Sequence, residues 1–355
     1  MTGLEADQPA ANGSDRPGDQ GGRVGQGQFQ FRADVSWARL PAGYSWYEVA
    51  GVACDSRGQV YVFNRGDHPV MVFERGGTFL RSWGEGDSAR PHGITIGPDD
   101  SVYCTYDIGH IMRKFRPDGE LLMTLGTPGI PSDTGATSMD FRTIRQAGSP
   151  FHYPTNVALG PTGEIYMTDG YGNARVHRFT ADGRLIQSWG EPGTAPGQFG
   201  VPHGIAINPA GQIYVADREN SRLQVFSLEG DFLREITEIA RPCEIAFDLD
   251  GNLFVAELGY RAGMWPGINP PSDNATGGRV SIFGPEGQLL SRWGGGDHPT
   301  DPGDFFAPHD ICVDSNGDVY VAEVAMSAGG NRGLVAPDCH TLQKFHLIPP
   351  IRPPS

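Results

Sequence analysis

A short phrase of alternating hydrophobic and polar residues recurs along the chain from about residue 45 to residue 347. Each copy contains an apolar strand, a turn with glycine or aspartate, and a second strand that ends in an acidic or polar residue. A phrase that recurs in this way indicates a repeat architecture, in which each repeat buries its faces against the neighbouring repeats. The six copies open at Gly51-Val-Ala, Gly93-Ile-Thr, Asn156-Val-Ala, Gly204-Ile-Ala, Glu244-Ile-Ala and Asp310-Ile-Cys.

Further strands lie between the copies, for example at 174–179 and 221–226, and each repeat then ends on an outer strand. Four strands per repeat are the blade unit of a β-propeller. Six copies therefore predict an all-β fold, a six-bladed β-propeller with four antiparallel strands in each blade. The composition agrees, because 51 glycines and 29 prolines with only 19% charged residues favour many short strands, tight turns and almost no helix.

The last repeat lacks a fourth strand of its own. Its third strand falls at 341–347, and the prolines from Pro349 onward cannot continue a hydrogen-bonded ladder. The segment 29–35 alternates as a half-buried strand does, so we expect it to return and complete the last blade. In this interpretation residues 1–28 are a disordered N-terminal tail, 29–348 form the propeller and 349–355 are a proline-rich C-terminal tail.

Charge and composition limit the classes of binding partner that we expect for this chain. The formal net charge is -15 and the basic residues are not clustered, which disfavours nucleic acid and anionic membranes. We find no apolar stretch of about 18 residues that could span a bilayer and no secretory signal pattern, so we expect a cytoplasmic monomer that acts on a small molecule. The five cysteines are widely spaced and odd in number, which indicates free thiols rather than a disulfide framework.

Histidine precedes the opening of every second copy. Equivalent positions on alternate blades lie about 120° apart around the axis, and the opening strands line the central channel, so these three imidazoles should converge. Three histidine nitrogens with an open position are the ligand set of a catalytic zinc site. Iron and cobalt also bind three imidazoles, and the sequence does not choose among these metals. Around the ring, this position holds Ala50, His92, Thr155, His203, Cys243 and His309.

The repeat phrase resembles the NHL family, most clearly at residues 201–222, where the chain reads VPHGIAINPAGQIYVADRENSR. The resemblance covers about residues 45–347 and implies the propeller fold, while it leaves the function open. The segments FNRGDH at 63–68 and DGYGNAR at 169–175, and the Pro-His pairs at 91–92, 202–203 and 308–309, are further motifs. Together they resemble the lyase domain of the peptidylglycine α-amidating enzymes, the peptidyl-α-hydroxyglycine α-amidating lyases. That domain is a six-bladed propeller with catalytic zinc and structural calcium.

The second resemblance implies roles for individual side chains. The segment FNRGDH at 63–68 resembles the one that carries the family's substrate-binding arginine, which here is Arg65. The segment DGYGNAR at 169–175 resembles the one with the catalytic tyrosine, here Tyr171. The stretch VADRENSR at 215–222 also resembles the family, where the first arginine of this stretch faces the substrate cleft. Arg218 is therefore a second candidate for binding a carboxylate; a surface ion pair is the alternative.

The resemblance also implies the metal ligands. His92, His203 and His309 each follow a proline and match the three zinc-ligand motifs in order. For calcium, the family uses one aspartate carboxylate and two backbone carbonyls, which by position are those of Asp310, Val52 and Ile94. Oxygen ligands suit this hard cation.

Some positions depart from the family pattern. Ala307 stands where the family has a methionine, and neither family disulfide has cysteines at the matching positions; Gly172 occupies one of them. The loss of both bridges is typical of a reducing compartment and argues against peptide-hormone amidation.

The implied reaction cleaves a carbon–nitrogen or carbon–oxygen bond at an α-hydroxylated carbon of a small, carboxylate-bearing substrate. Zinc polarises the substrate oxygens, Arg65 binds the carboxylate and Tyr171 acts as base, which requires a pKa below its usual value of about 10. Two alternatives stay open: a metal-dependent hydrolase of a lactone, ester or amide, and a non-enzymatic NHL binding platform. Insertions at 127–153, 258–279 and 324–339 should shape the ligand face.

Overall fold

Six antiparallel sheets surround one axis in the computed structural model, which describes residues 22–263 and 276–349. This arrangement is the predicted six-bladed β-propeller. The first blade contains β3 (Val49–Cys54), β4 (Val60–Asn64), β5 (Val70–Phe73) and β6 (Phe79–Trp83). The second contains β7 (Pro91–Ile96), β8 (Val102–Tyr106), β9 (Ile111–Phe115) and β10 (Leu121–Leu125). The third contains β11 (Pro154–Leu159), β12 (Ile165–Asp169), β13 (Arg175–Phe179) and β14 (Leu185–Trp189).

The remaining blades repeat this order from the axis outward. The fourth contains β15 (Pro202–Ile207), β16 (Ile213–Asp217), β17 (Arg222–Phe226) and β18 (Phe232–Ile236). The fifth contains β19 (Pro242–Phe247), β20 (Leu253–Glu257), β21 (Arg279–Phe283) and β22 (Leu289–Gly294). The sixth contains β23 (Pro308–Val313), β24 (Val319–Glu323) and β25 (Leu342–Leu347), followed by β2 (Phe29–Asp34) and β1 (Arg23–Gln26).

The turns between the two inner strands of a blade follow from their sequence. In the sixth blade, the Asp314 carboxylate accepts hydrogen bonds from the backbone N–H groups of Asn316 and Asp318. Gly317 adopts a φ of 80°, a left-handed conformation that glycine tolerates best. Local side-chain bonds and one glycine therefore reverse the chain at this point.

The ring closes by pairing the two ends of the described chain. Strand β2 runs antiparallel to β25, with Phe31 opposite Leu347 and Asp34 opposite Lys344. The predicted closing strand is therefore present. Strand β1 adds a fifth strand to this sheet, so the propeller begins before the expected boundary at Phe29. Residues 1–21 of the expected N-terminal tail and residues 350–355 of the expected C-terminal tail lie outside the described residues.

The opening strands of all six blades line a central channel, with a cavity of about 450 Å³. Helix is limited in the described ranges to α1 (Ala325–Ala328) and three short 3-10 turns, Phe141–Thr143, Arg218–Asn220 and Gly330–Arg332. None of the described helices has the length and apolar character needed to cross a bilayer. The compartment of the protein stays a prediction.

Candidate metal centre

His92, His203 and His309 converge at one end of the channel. Their ligand nitrogens all lie within 4.8 Å of one another, and the ring centroids are 4.8, 4.7 and 4.7 Å apart. Each histidine is the second residue of its opening strand, β7, β15 or β23, which places all three at the same height along the axis. None is more than 5% exposed. The convergence that the repeat spacing predicts is present.

Backbone carbonyls of the intervening blades orient these rings. Nδ1 of His92 lies 2.8 Å from the carbonyl oxygen of Thr155, and Nδ1 of His203 lies 2.9 Å from that of Cys243. Nδ1 of His309 lies 2.7 Å from the carbonyl oxygen of Ala50. A carbonyl oxygen only accepts, so each Nδ1 carries the hydrogen and each Nε2 keeps a lone pair. One repeat position therefore supplies the ligand candidates and the carbonyl groups that orient them, alternately around the ring.

The surroundings keep the imidazoles neutral. Burial is the main cause that holds the pKa of His92, His203 and His309 well below the usual value, and the neighbouring imidazoles and arginines add to it. Neutral imidazoles with available lone pairs are what a divalent transition metal requires. These residues therefore fit a three-nitrogen metal site.

The hydroxyl of Tyr171 lies against the same lone pairs. It is 3.1 Å from Nε2 of His92 and 2.9 Å from Nε2 of His203, and the side chain is buried. A hydroxyl has one hydrogen and donates to one of these nitrogens at a time, so lone pairs outnumber hydrogens here. A cation would satisfy this donor set, which is a second indication of a metal site.

The pKa of Tyr171 differs from the sequence-based expectation. Burial raises the pKa above its usual value, while the positive charge of Arg218 acts in the opposite direction. The protein groups alone therefore do not lower it. A bound cation would act in the same direction as Arg218.

Arg218 is a buried partner of Tyr171 rather than a surface ion pair. Its Nη1 donates to the Tyr171 hydroxyl oxygen at 3.2 Å, its Nε donates to Glu219 at 2.8 Å, and the residue is 2% exposed. Burial opposes its charge, but Tyr171 and Glu219 outweigh this effect and raise the pKa of Arg218. The guanidinium thus stays charged beside the phenol.

Arg65 follows β4 and reaches the same site from the first blade. Its Nε donates to the carbonyl oxygen of Pro91 at 2.8 Å, and its Nη1 donates to the buried carboxylate of Glu48 at 2.8 Å. Nη1 also lies 3.3 Å from the hydroxyl of Ser327. The residue expected to bind a substrate carboxylate is therefore held in place by a carboxylate of the protein.

A small chamber of about 20 Å³ lies beside His309, with room for about one water molecule. Arg90 also lines it, held by two bonds to Asp107, one of them 3.0 Å from Nε to Oδ1. The sequence analysis missed Arg90, although its place two residues before His92 was a signal. The other lining groups are Arg65, Tyr171, Arg218 and His309 on the polar side, and Leu258, Ala262, Gly263, Val324 and Ala328 from two of the insertions.

A second group of polar residues lies along the axis next to the histidines. Asp310 accepts hydrogen bonds from the N–H groups of Val52 at 3.3 Å and Ile311 at 2.7 Å. Ile94 and Val52 line the same channel cavity, so the three residues expected at a calcium site are brought to one region. Their role as calcium ligands stays a prediction.

Glu244 also belongs to this group, and the sequence analysis did not assign it a role. It occupies the same repeat position as Asp310, which was the available signal. Burial raises the pKa of Glu244 well above its usual value, and burial together with Glu244 raises the pKa of Asp310 in the same direction. Two buried carboxyl groups beside one channel favour a bound cation, because its charge would stabilise their ionised forms.

Fold and site together define the class of protein: a six-bladed propeller with three inward-facing histidines at one end of its channel. NHL repeats are matched at residues 199–226 and 307–328. Human NHL repeat-containing protein 3 is 34% identical over 247 residues, which cover 64% of this chain and 67% of that protein. The chain belongs to this family of NHL-repeat proteins.

Other relatives carry the names of lyases. Peptidyl-alpha-hydroxyglycine alpha-amidating lyase 1 of Drosophila melanogaster is 30% identical over 292 residues, which cover 76% of this chain and 50% of that protein. Among solved structures, a gluconolactonase from Xanthomonas campestris superposes with a TM-score of 0.60 at 14% identity, covering 97% of this chain and 99% of the other. At that identity, the structural similarity supports the fold alone.

Proposed function

We propose that the chain is a zinc-dependent lyase that cleaves a carbon–nitrogen or carbon–oxygen bond at an α-hydroxylated carbon of a small, carboxylate-bearing substrate. The observation that carries the proposal is the position of the Tyr171 hydroxyl, in contact with two histidine Nε2 atoms and with Arg218. The group proposed to accept the proton thus lies directly beside two of the three metal-ligand candidates. The relationship to an amidating lyase supports the same reaction class.

Each site residue has one task in this reaction. His92, His203 and His309 would hold the zinc, which supplies Lewis acidity toward the substrate oxygens. Tyr171 would accept the proton of the substrate hydroxyl and return it to the departing nitrogen, so that the products are an amide and a glyoxylate-like acid. Arg218 would hold the phenol oxygen in position, and Arg65 would bind the substrate carboxylate. No redox step is needed.

The chamber must enlarge to admit such a substrate. Its volume of about 20 Å³ is smaller than any carboxylate-bearing amide, and one side of it is lined by Leu258, Ala262, Gly263, Val324 and Ala328. Substrate binding would displace this side of the chamber, and the same residues would then exclude water from the reacting carbon.

A calcium ion would add to the stability of the ring. The proposed ligands are the Asp310 carboxylate and the backbone carbonyls of Val52 and Ile94, with Glu244 as a further oxygen ligand. All four residues line the axial cavity. Oxygen donors of this kind suit calcium.

Elemental analysis combined with a lyase assay tests the function. We expect about one zinc per purified wild-type chain, as for a three-histidine site, and release of amide from an N-acyl-α-hydroxyglycine. His203→Ala should lose both, whereas the control His298→Ala, at an exposed position, should keep both.

The alternatives give different results. A hydrolase on the same metal would introduce oxygen-18 from labelled water into an acyl product, which elimination does not do. Wild-type protein without transition metal and without turnover would refute the enzyme proposal and support a binding platform.

A further inference from the structure

Cys54 and Cys312 face each other across the contact between β3 of the first blade and β23 of the last, which we call the seam. Their Sγ atoms are 3.1 Å apart. Cys54 ends β3 and Cys312 is the penultimate residue of β23, so the pair lies toward the end of the channel opposite the histidines. Both thiols are free, partly exposed and part of the channel lining.

We propose that Cys54 and Cys312 form a reversible disulfide that covalently locks the ring at its seam. A disulfide has a sulfur–sulfur distance of about 2.05 Å, so the two sulfurs need to approach by only about 1 Å. Two residues earlier in each strand, the backbone N–H of Val52 donates a hydrogen bond to the Asp310 carboxylate at 3.3 Å. Strands β3 and β23 pack against each other, so a small movement of the two side chains would bring the sulfurs together.

The pair differs from the remaining cysteines in position and access. Cys104, Cys243 and Cys339 are buried, and the thiol–thiol contact found in the described chain joins Cys54 to Cys312. Cys54 and Cys312 line a cavity of about 450 Å³, which is large enough to admit a small oxidant. Cys54 and Cys312 are therefore both close to each other and accessible to an oxidant.

A low-molecular-weight disulfide, such as oxidised glutathione, supplies the oxidising equivalents. The thiolate of one cysteine attacks this disulfide and releases one small thiol, which forms a mixed disulfide on the protein. The second cysteine then attacks the protein sulfur of the mixed disulfide and releases another small thiol. Two protein thiols are oxidised, and the small disulfide is reduced to two thiols that carry away the two electrons and two protons.

The consequence follows from the topology of the ring. The described ends are also held together by the hydrogen bonds between β2 and β25. The proposed bond joins residues separated by 258 positions, so it would restrict the unfolded chain strongly and stabilise the closed ring. It acts at the seam and does not depend on the proposed lyase activity.

Mass spectrometry of the full chain tests the bond. After equilibration with oxidised glutathione, unfolding and alkylation, we expect three modified cysteines of the five, and a tryptic peptide that links Cys54 to Cys312. The midpoint of thermal unfolding should rise by several degrees, and dithiothreitol should reverse the shift. Alkylation of all five cysteines, or stable glutathione adducts without a cross-link, would overturn the proposal.

Matched serine variants locate the effect. Cys54→Ser and Cys312→Ser should each abolish the redox-dependent shift, since either change removes one partner. Cys339→Ser should preserve the shift, because Cys339 lies outside the pair. A shift that survives in both single variants of the pair would also overturn the proposal.

Discussion

The Nδ1–H group of His309 donates to the carbonyl oxygen of Ala50 at 2.7 Å, so a ligand candidate on the last blade is oriented by the first blade. These two residues are 259 positions apart in the chain. The third imidazole therefore takes up its orientation only when the ring closes. Closure of the propeller therefore also orients the third metal-ligand candidate.

Removing a side chain of the closing strand should destabilise the whole ring. Phe31 of β2 is fully buried, and its ring lies 5.1 Å from that of Trp293. We expect Phe31→Ala to lower the free energy of unfolding by about 3–5 kcal/mol, the usual cost of such a core truncation. Equilibrium unfolding in guanidinium chloride measures this change in the free energy of unfolding. Leu122→Ala, at an exposed site, should change the value by less than about 0.5 kcal/mol; equal losses would contradict a closing role for β2.

Tyr171→Phe should separate metal binding from catalysis. The three imidazoles remain, so the metal content should be unchanged, whereas loss of the proton acceptor should lower kcat by about 10²–10⁴-fold. Elemental analysis and a lyase assay on the same sample provide both values. The exposed Tyr47 supplies the control Tyr47→Phe, which should keep full activity. Undiminished turnover in Tyr171→Phe would remove this residue from the mechanism.

The two arginines should affect different kinetic constants. Arg65→Lys keeps a charge beside Glu48 but loses the paired N–H groups that bind a carboxylate, so KM should rise by about tenfold with little change in kcat. Arg218→Lys should mainly lower kcat, because its bond to the Tyr171 hydroxyl is lost. A substrate with a carboxamide in place of the carboxylate provides the check: Arg65→Lys and wild type should then have similar KM values.

Calcium should stabilise the protein through the axial carboxylates. Asp310 and Glu244 are both buried beside the channel, and a bound cation would offset the cost of their charges. The midpoint of thermal unfolding of the wild type should therefore rise with added calcium, and Asp310→Asn should remove this dependence. Asp250→Asn, at an exposed turn, should retain it. A calcium response that persists in Asp310→Asn would exclude this carboxylate as a ligand.

Acid should weaken the last blade through Asp318. Burial alone would raise the pKa of this carboxyl, but hydrogen bonds from His346 and Lys344 outweigh it and lower the pKa from 3.8 to about 2. A lowered pKa stabilises the fold above pH 3.8, and this contribution is lost as the pH falls toward 2. Asp318→Asn should thus be less stable at neutral pH and should lose less stability on acidification. Asp338→Asn, at an exposed site, should follow the wild type in urea unfolding across this range.

The repeat period and the closing strand could be predicted from the sequence because both are local patterns. Alternation of apolar residues specifies a strand, and six similar phrases specify six blades. The period also predicted that His92, His203 and His309 converge, since residues at one repeat position share one height along the axis. The alternating pattern at Phe29 and Phe31 was sufficient to identify β2, whereas β1 was missed because the glycines and glutamines around it resemble a tail.

The tertiary structure alone decided which groups touch one another. The carbonyl partners of the imidazoles, the contact of Tyr171 with Arg218 and the approach of Cys54 to Cys312 all join residues on different blades. Nothing in the local pattern encodes these distances, because they depend on how far each blade rotates around the axis and on where the ring closes. The amino-acid sequence by itself determined the six blades and the position of the three histidines; ring closure decided their tautomers, their neighbours and the burial that sets their pKa values.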